Sequence, residues 1–374
     1  MVQKSLLVQA LLFLGTNACN GGGGHAVTYS LKKMYDASNF LDSFNFRDLT
    51  YYIWRAYYDS INPDYGGDPT GGFVNYMSQK DALASGIVNT KNGKVYLGVD
   101  SNKRAILLDS STTRHGRDSV RLESKETWDS GILIADIEHM PGTACGIWPS
   151  YWLYKFDEDL VGEIDIIEGI NLQDANVVSL HTCGACSFSN IGGIDGRSNC
   201  NNGGTVSQQC EDGTNLDGCG NTVSTGSYGE TSNSKQGGVL VTWIATDAVK
   251  LYWWPRAKIP ADITSGKPSP SSWGTHASQF VGLLVVATVM LESILRTDYC
   301  NASLSARPRQ NHCANDGGEQ IFNTAFCGSN IDHDTWNGDC KATTGAETCD
   351  DYVTNSPAAF NETFWSINSV KLYQ

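Results

Sequence analysis

The sequence predicts an all-β fold, a sandwich or a barrel, on three observations. β-Branched and aromatic residues recur in short, often alternating runs. Long helical periodicity is absent outside a stretch near 39–46. The 39 glycines, 16 tyrosines and 10 tryptophans suit strands joined by tight turns. In chain order the runs are 95–99, 119–123, 132–137, 177–181, 239–243 and 249–254, separated by Gly, Asn, Asp and Ser. No internal repeat or strong linker divides the chain, so residues 19–374 read as one domain, a size that buries one large core.

Lys4, the apolar stretch 6–14 and the small residues Thr16-Asn17-Ala18 read as a signal peptide over residues 1–18, cut after Ala18. Twelve cysteines suit an oxidising compartment, and Asn301 and Asn361 stand in glycosylation sequons; together these predict a secreted, extracellular protein. Cys183-Gly-Ala-Cys186 stands alone, without the second pair of a zinc ribbon. Residues 184–236, polar and holding Cys186, Cys200, Cys210 and Cys219, read as a disulfide-pinned loop region. Charged residues are 18% of the chain, and 26 basic against 40 acidic side chains leave a net charge of −14. Nucleic acid and anionic membrane are thereby disfavoured as partners, since both need a positive surface, whereas a neutral substrate is not.

Residues 162–170 read GEIDIIEGI, with Glu163, Asp165 and Glu168 set among isoleucines. On a regular strand Glu163 and Asp165 share a face, but Glu168 falls on the other. A β-bulge at Ile166-Ile167 adds the residue that returns Glu168 to the acidic face. Such a row can supply the two carboxyls of a glycosidase, about 5–5.5 Å apart in a retaining enzyme and about 6.5–9.5 Å in an inverting one. Like charges at that range drive the pKa values apart, so that one group is an acid and another a nucleophile. An acidic strand edge or a cation site of oxygen ligands is the alternative. Trp148 and Trp152, four apart and so on one face of a strand, precede the acids, and His181 follows them. Aromatic faces and polar groups are what a sugar cleft needs.

Together these residues resemble glycoside hydrolase family 16, in particular fungal secreted endo-β-1,3(4)-glucanases of the laminarinase type. The resemblance runs through 68–76 (Asp-Pro-Thr-Gly-Gly-Phe-Val-Asn-Tyr), 116–122 (Gly-Arg-Asp-Ser-Val-Arg-Leu), 146–152 (Gly-Ile-Trp-Pro-Ser-Tyr-Trp), GEIDIIEG and 179–182 (Ser-Leu-His-Thr). It continues through Trp254-Pro-Arg256, 259–262 and 270–273, and returns at 322–328. It implies a concanavalin-like β-jelly-roll sandwich of two curved antiparallel sheets, with retaining cleavage of internal β-1,3 or β-1,3-1,4 glucan linkages. It further implies Glu163 as nucleophile, Asp165 as its hydrogen-bonded assistant and Glu168 as general acid/base. Arg121, Trp148, Trp152 and His181 would hold the sugar. The chemistry needs no cofactor. Some relatives carry a structural calcium, whose ligands this sequence does not identify. The expected partner is a β-glucan polysaccharide, and the expected state a monomer.

Three features depart from the family pattern. Residues 156–161 lack a Trp-Pro pair, and Cys327-Gly328 is followed by Ser329-Asn330, the next tryptophan being Trp336. Two stacking platforms are thus absent or displaced. Residues 49–66 and 281–311 read as insertions, translated from unspliced intron; a transcript encoding 281–311 without interruption overturns that reading. A cell-wall β-glucan transglycosylase and a non-catalytic glucan-binding lectin are the alternative functions. Keeping all three acids argues against the lectin.

Overall fold

The predicted β-rich pattern is realised as nineteen strands among the described residues of a computed structural model. It describes residues 28–48, 51, 70–106, 116–128, 130–157, 160–182, 188–190, 204–209, 215–245, 248–282 and 318–374. The predicted signal peptide, Cys183, Cys186, Cys200, Cys210 and Asn301 lie outside the described residues. So do both predicted insertions, except for Tyr51 and residues 281–282.

The first strands are β1 (Leu31–Asp36), β2 (Phe44–Phe46), β3 (Val74–Tyr76), β4 (Val88–Lys91), β5 (Lys94–Gly98), β6 (Arg117–Ser119), β7 (Arg121–Trp128) and β8 (Gly131–His139). The central ones are β9 (Ile147–Asp157), β10 (Leu160–Glu168), β11 (Val177–Thr182), β12 (Phe188–Asn190), β13 (Gly204–Gln209) and β14 (Asn215–Thr222). The last are β15 (Gly238–Ile244), β16 (Ala248–Pro255), β17 (Ser278–Gly282), β18 (Gly318–Phe326) and β19 (Phe364–Tyr373). All six predicted runs fall on strands.

Two large antiparallel sheets result, in a jelly-roll sandwich. One has the order β13-β14-β11-β10-β9-β18-β7-β2. The other runs β12-β17-β16-β15-β8-β19-β5-β4, with β1 also on β19. β3 and β6 form a small parallel pair. The stretch near 39–46 is one helical turn (Phe40–Ser43) leading into β2. Residues 184–236 are not simply a loop region: β13 and β14 extend the first sheet at its edge, where the β14 backbone pairs with β11. Glycine- and asparagine-rich composition had masked them, because an edge strand needs few apolar side chains.

Alternate residues of the two sheets meet in one core. Leu122, Tyr151, Leu153, Ile164, Ile166, Ile167, Leu180 and Phe322 pack against Val95, Leu97, Leu133, Ile137, Leu240, Leu251, Trp365 and Ile367. Each large apolar side chain withdrawn from water contributes about 1.5–3 kcal/mol. With the odd residues of β9 thus committed inward, Trp148, Ser150, Trp152 and Tyr154 point away from the core.

A second apolar cluster at the end of β9 and β18 gathers Phe73, Ile147, Phe326, Ile331, Trp336 and Val353 around the disulfides Cys145–Cys340 and Cys327–Cys349. Trp336 is only 2% exposed and donates its indole N–H to the Ala346 carbonyl at 3.1 Å, so it is a core residue and not a displaced sugar platform. The Cys145–Cys340 bridge closes a loop of 195 residues and restricts the unfolded chain. Replacing both cysteines by serine is expected to lower stability by about 2–5 kcal/mol, read as a fall in the denaturant midpoint; an unchanged midpoint contradicts it. No helix among the described residues is long and apolar enough to cross a membrane.

Candidate active site

The site begins with the register of β10. Against β9, Glu163 lies opposite Tyr154, Asp165 opposite Trp152, and Glu168 opposite Ser150. Against β11 the three acids lie opposite His181, Ser179 and Val177. Every second residue of both neighbours is thus met by an acid, although the acids are two and then three residues apart. The ladder absorbs the extra residue by shifting register between Asp165 and Glu168, the predicted bulge. Ile164, Ile166 and Ile167, each at most 1% exposed, fill the core side. Burying three isoleucines while keeping three acids on the outward face requires this one additional residue.

Asp165 is buried, and Glu163 and Glu168 are half-buried. His181 places Nε2 3.3 Å from Asp165 Oδ2, diagonally across the β10–β11 ladder. The Trp148 indole donates to Glu168 Oε1 at 2.9 Å. Trp152 donates to Asn323 Oδ1 at 2.8 Å, and the Arg121 guanidinium lies 5.0 Å from its ring centroid. Arg121 in turn donates to Glu123 from Nε at 3.0 Å, with Nη2 at 2.9 Å, and Arg47 pairs with the other carboxylate oxygen. Burial pushes Glu123 upward, yet the two arginines hold it below the ordinary carboxylate range, so it is a fixed anion anchoring Arg121. The structure therefore brings together all seven expected residues, Glu163, Asp165, Glu168, Trp148, Trp152, His181 and Arg121, on one face of one sheet. Trp148, 9% exposed, offers Glu168 its polar edge more than it offers the surface an open ring.

Electrostatics follow from that crowding. Burial, then the Asp165 charge, raises Glu163 to about 8 and Glu168 to about 7. His181 and Arg121 oppose the rise at Glu163, while the Trp148 hydrogen bond and His181 oppose it at Glu168. For His181 burial works against the charge, but the Asp165 hydrogen bond and the surrounding carboxylates raise it to about 9. At neutral pH the group thus contains an imidazolium and glutamates that retain protons, and its titrations belong to the cluster. Glu163, Asp165 and His181 each offer a ligand atom, all within 4.8 Å of one another. A cation there would have to displace the imidazole proton first.

Four contributors escaped sequence reasoning: Asn176, Tyr228, Asn323 and Glu123. Asn176, 1% exposed, accepts from the Glu168 amide at 3.0 Å and donates to the Ile166 carbonyl at 2.7 Å. Tyr228 is fully buried, and a Cβ on Gly169 would lie 2.5 Å from its Cζ, which is why glycine follows Glu168. A buried polar residue outside the alternating run leaves no periodic signal. For Glu123, the preceding Arg121 was the available cue, since i and i+2 share a strand face.

The chain is similar to known proteins. A family model described as XgeA-like, catalytic GH16 domain matches residues 64–319 and 310–373. The chain is 34% identical over 372 residues to an endo-1,3(4)-beta-glucanase of Arthroderma benhamiae, covering 97% of this chain and 68% of that one. Among solved structures it is similar to an elongating GH family 16 beta-1,3-glucosyltransferase, at 33% identity and TM-score 0.67, covering 92% of this chain and all of that one. It is also similar to Laminarinase 16A from Phanerochaete chrysosporium, at 28% identity and TM-score 0.62, covering 93% and 100%. The chain spans about half the length of several other curated relatives that it matches.

Proposed function

The chain belongs to glycoside hydrolase family 16, and we propose that it is a secreted, monomeric endo-β-glucanase cleaving internal β-1,3 and β-1,3-1,4 linkages with retention of configuration. The observation that carries this reading is the bulged β10, which aligns two raised glutamates around Asp165 on one open face.

In the first step the Glu163 carboxylate attacks the anomeric carbon while the Glu168 carboxyl protonates the departing glycosidic oxygen. The reactive arrangement is the one in which Glu168 holds the proton and Glu163 is ionised. The Asp165 charge raises both glutamates and His181 lowers both, with Glu163 the higher in the free protein, so this arrangement is selected when substrate binds. Arg121 favours the anion at Glu163 alone. In the second step the Glu168 carboxylate takes a proton from water, which attacks the same carbon and releases Glu163. Asp165, tied to His181, stands between the two glutamates. Arg121 and Trp152 stand beside them, where a sugar ring can be hydrogen-bonded and stacked.

Loss of the Glu168 proton ends the first step, so kcat/KM should fall as pH rises through about 7. Asp165→Asn removes a like charge, lowers both glutamates and should move that basic limb down by about one pH unit. A pH profile of laminarin hydrolysis checks the sign; an upward shift contradicts it.

The experiment for the reading as a whole supplies laminarin, lichenan and labelled oligosaccharide acceptors. New reducing ends, β-configured on release, support hydrolysis. Binding without turnover overturns it in favour of a lectin. Transglycosylation is the second reading, favoured by the similarity to a glucosyltransferase, and would appear as labelled products longer than the acceptor.

A further inference from the structure

A bulge leaves one strand a residue out of step, and the peptide groups at the step need partners from elsewhere. Here the Glu168 N–H and the Ile166 carbonyl share one side-chain partner, while Gln173 Nε2 donates to the Glu168 carbonyl at 3.4 Å. Asn176, immediately before β11, turns its amide into the step between Asp165 and Glu168. Its Oδ1 accepts from the Glu168 N–H at 3.0 Å, and its Nδ2 donates to the Ile166 carbonyl at 2.7 Å. Asn176 is itself fixed at both ends of its backbone. Its N–H donates to Ser227 Oγ at 3.0 Å, and its carbonyl accepts from Val223 at 2.8 Å. Ser227 precedes Tyr228, whose ring lies against Gly169. A continuous line of contacts therefore runs from residues 223–228 to the backbone of Glu168.

We propose that Asn176 is a positioning residue for the acid step: by closing the bulge with its side-chain amide, it aims the Glu168 carboxyl at the glycosidic oxygen. The inference rests on the reading of Glu168 as general acid/base. An amide is the only side-chain group of this length that both donates and accepts without charge, which is what the two facing peptide atoms require. Serine or alanine cannot reach both, and aspartate does so only when protonated. Glu168 is faced by Asp165 and Glu163 from its own strand, by His181 from β11, by the Trp148 indole from β9, and by the Tyr228 phenol. None of these holds its backbone.

The test uses the full chain, laminarin, and 2,4-dinitrophenyl β-laminaribioside, whose leaving group needs no proton. For Asn176→Ala, kcat on laminarin should fall about 30-fold with KM within about twofold, a part of the roughly 10²–10⁴-fold that a positioned acid supplies. On the dinitrophenyl glycoside, kcat/KM should stay within about threefold of the unmodified protein. Equal losses on both substrates, or an unchanged laminarin rate, overturn the proposal.

Asn176→Asp, nearly isosteric, carries the test if the alanine variant does not fold. Protonated, it reproduces both hydrogen bonds; ionised, it loses the donation to Ile166. Its basic limb on laminarin should therefore move to lower pH. A negative charge acting only by its field would raise Glu168 and move the limb to higher pH, which also overturns the proposal. Glu168→Gln run in parallel separates the two levels. If that variant keeps its laminarin rate, the reading of Glu168 fails; if it is inactive while Asn176→Ala behaves as the unmodified protein, only the role of Asn176 fails.

Discussion

Glu163→Gln is expected to lower turnover of laminarin by at least about 10⁴-fold while leaving the fold and glucan binding in place. Glutamine keeps the shape of the side chain and removes the nucleophilic oxygen. Its neutral amide matches the protonated Glu163 of neutral pH, so stability should hold there and exceed that of the unmodified protein only above about pH 8. Hydrolysis rates on laminarin, with far-UV circular dichroism and a binding isotherm, check all three parts together. A variant turning over at the normal rate removes double displacement through Glu163 from consideration. The companion Glu163→Ala leaves space for azide to act as the nucleophile. With an activated glycoside, a single displacement should then give the α-glycosyl azide, the configuration opposite to that produced by the intact protein.

Glu168→Ala should cost roughly 10²–10⁴-fold on laminarin, the usual worth of a general acid. The loss depends on the substrate. A dinitrophenyl glycoside departs without a proton, so the first step survives and only the second, which needs a base, is slowed. The glycosyl–Glu163 ester should accumulate, lowering KM together with kcat. Azide needs no base and should restore turnover, giving the β-glycosyl azide through two inversions. Product configuration thus assigns the two glutamates independently: α from the position-163 variant, β from the position-168 variant. The reverse pattern exchanges their roles.

The bulge was legible in the sequence because two constraints met in six residues. Three isoleucines had to reach the core and three acids had to avoid it, and period-two alternation cannot satisfy both. The strands were legible for the same reason, each apolar run being one side of the sandwich. What alternation cannot show is a residue chosen for its hydrogen bonds. Asn176 stands beside Val177-Val178 as any turn residue would, and only the folded register brings it to Ile166 and Glu168. Trp336 shows the same limit. The sequence left the expected sugar platform absent or displaced, and only the fold shows that the indole of this next tryptophan lies in the cluster that packs the two disulfides. Position in the chain says which segment carries a side chain, but not which way it turns.

The place of β19 has a consequence for how the chain acquires its shape. It lies between β8 and β5, with Val370 beside Ala135 and Trp365 beside Leu97, and it also receives β1. A segment made long after β5 and β8 is therefore in the interior of their sheet, and those two strands have no shared neighbour until it arrives. Contacts this distant along the chain carry a large loop-closure entropy, so the nine-stranded sheet should close late and slowly. Before that moment β8 presents an open backbone edge to its surroundings, a hazard of pairing with other chains. Synthesis truncated before residue 364 would leave that edge exposed, and such fragments should aggregate instead of folding to a weakened enzyme.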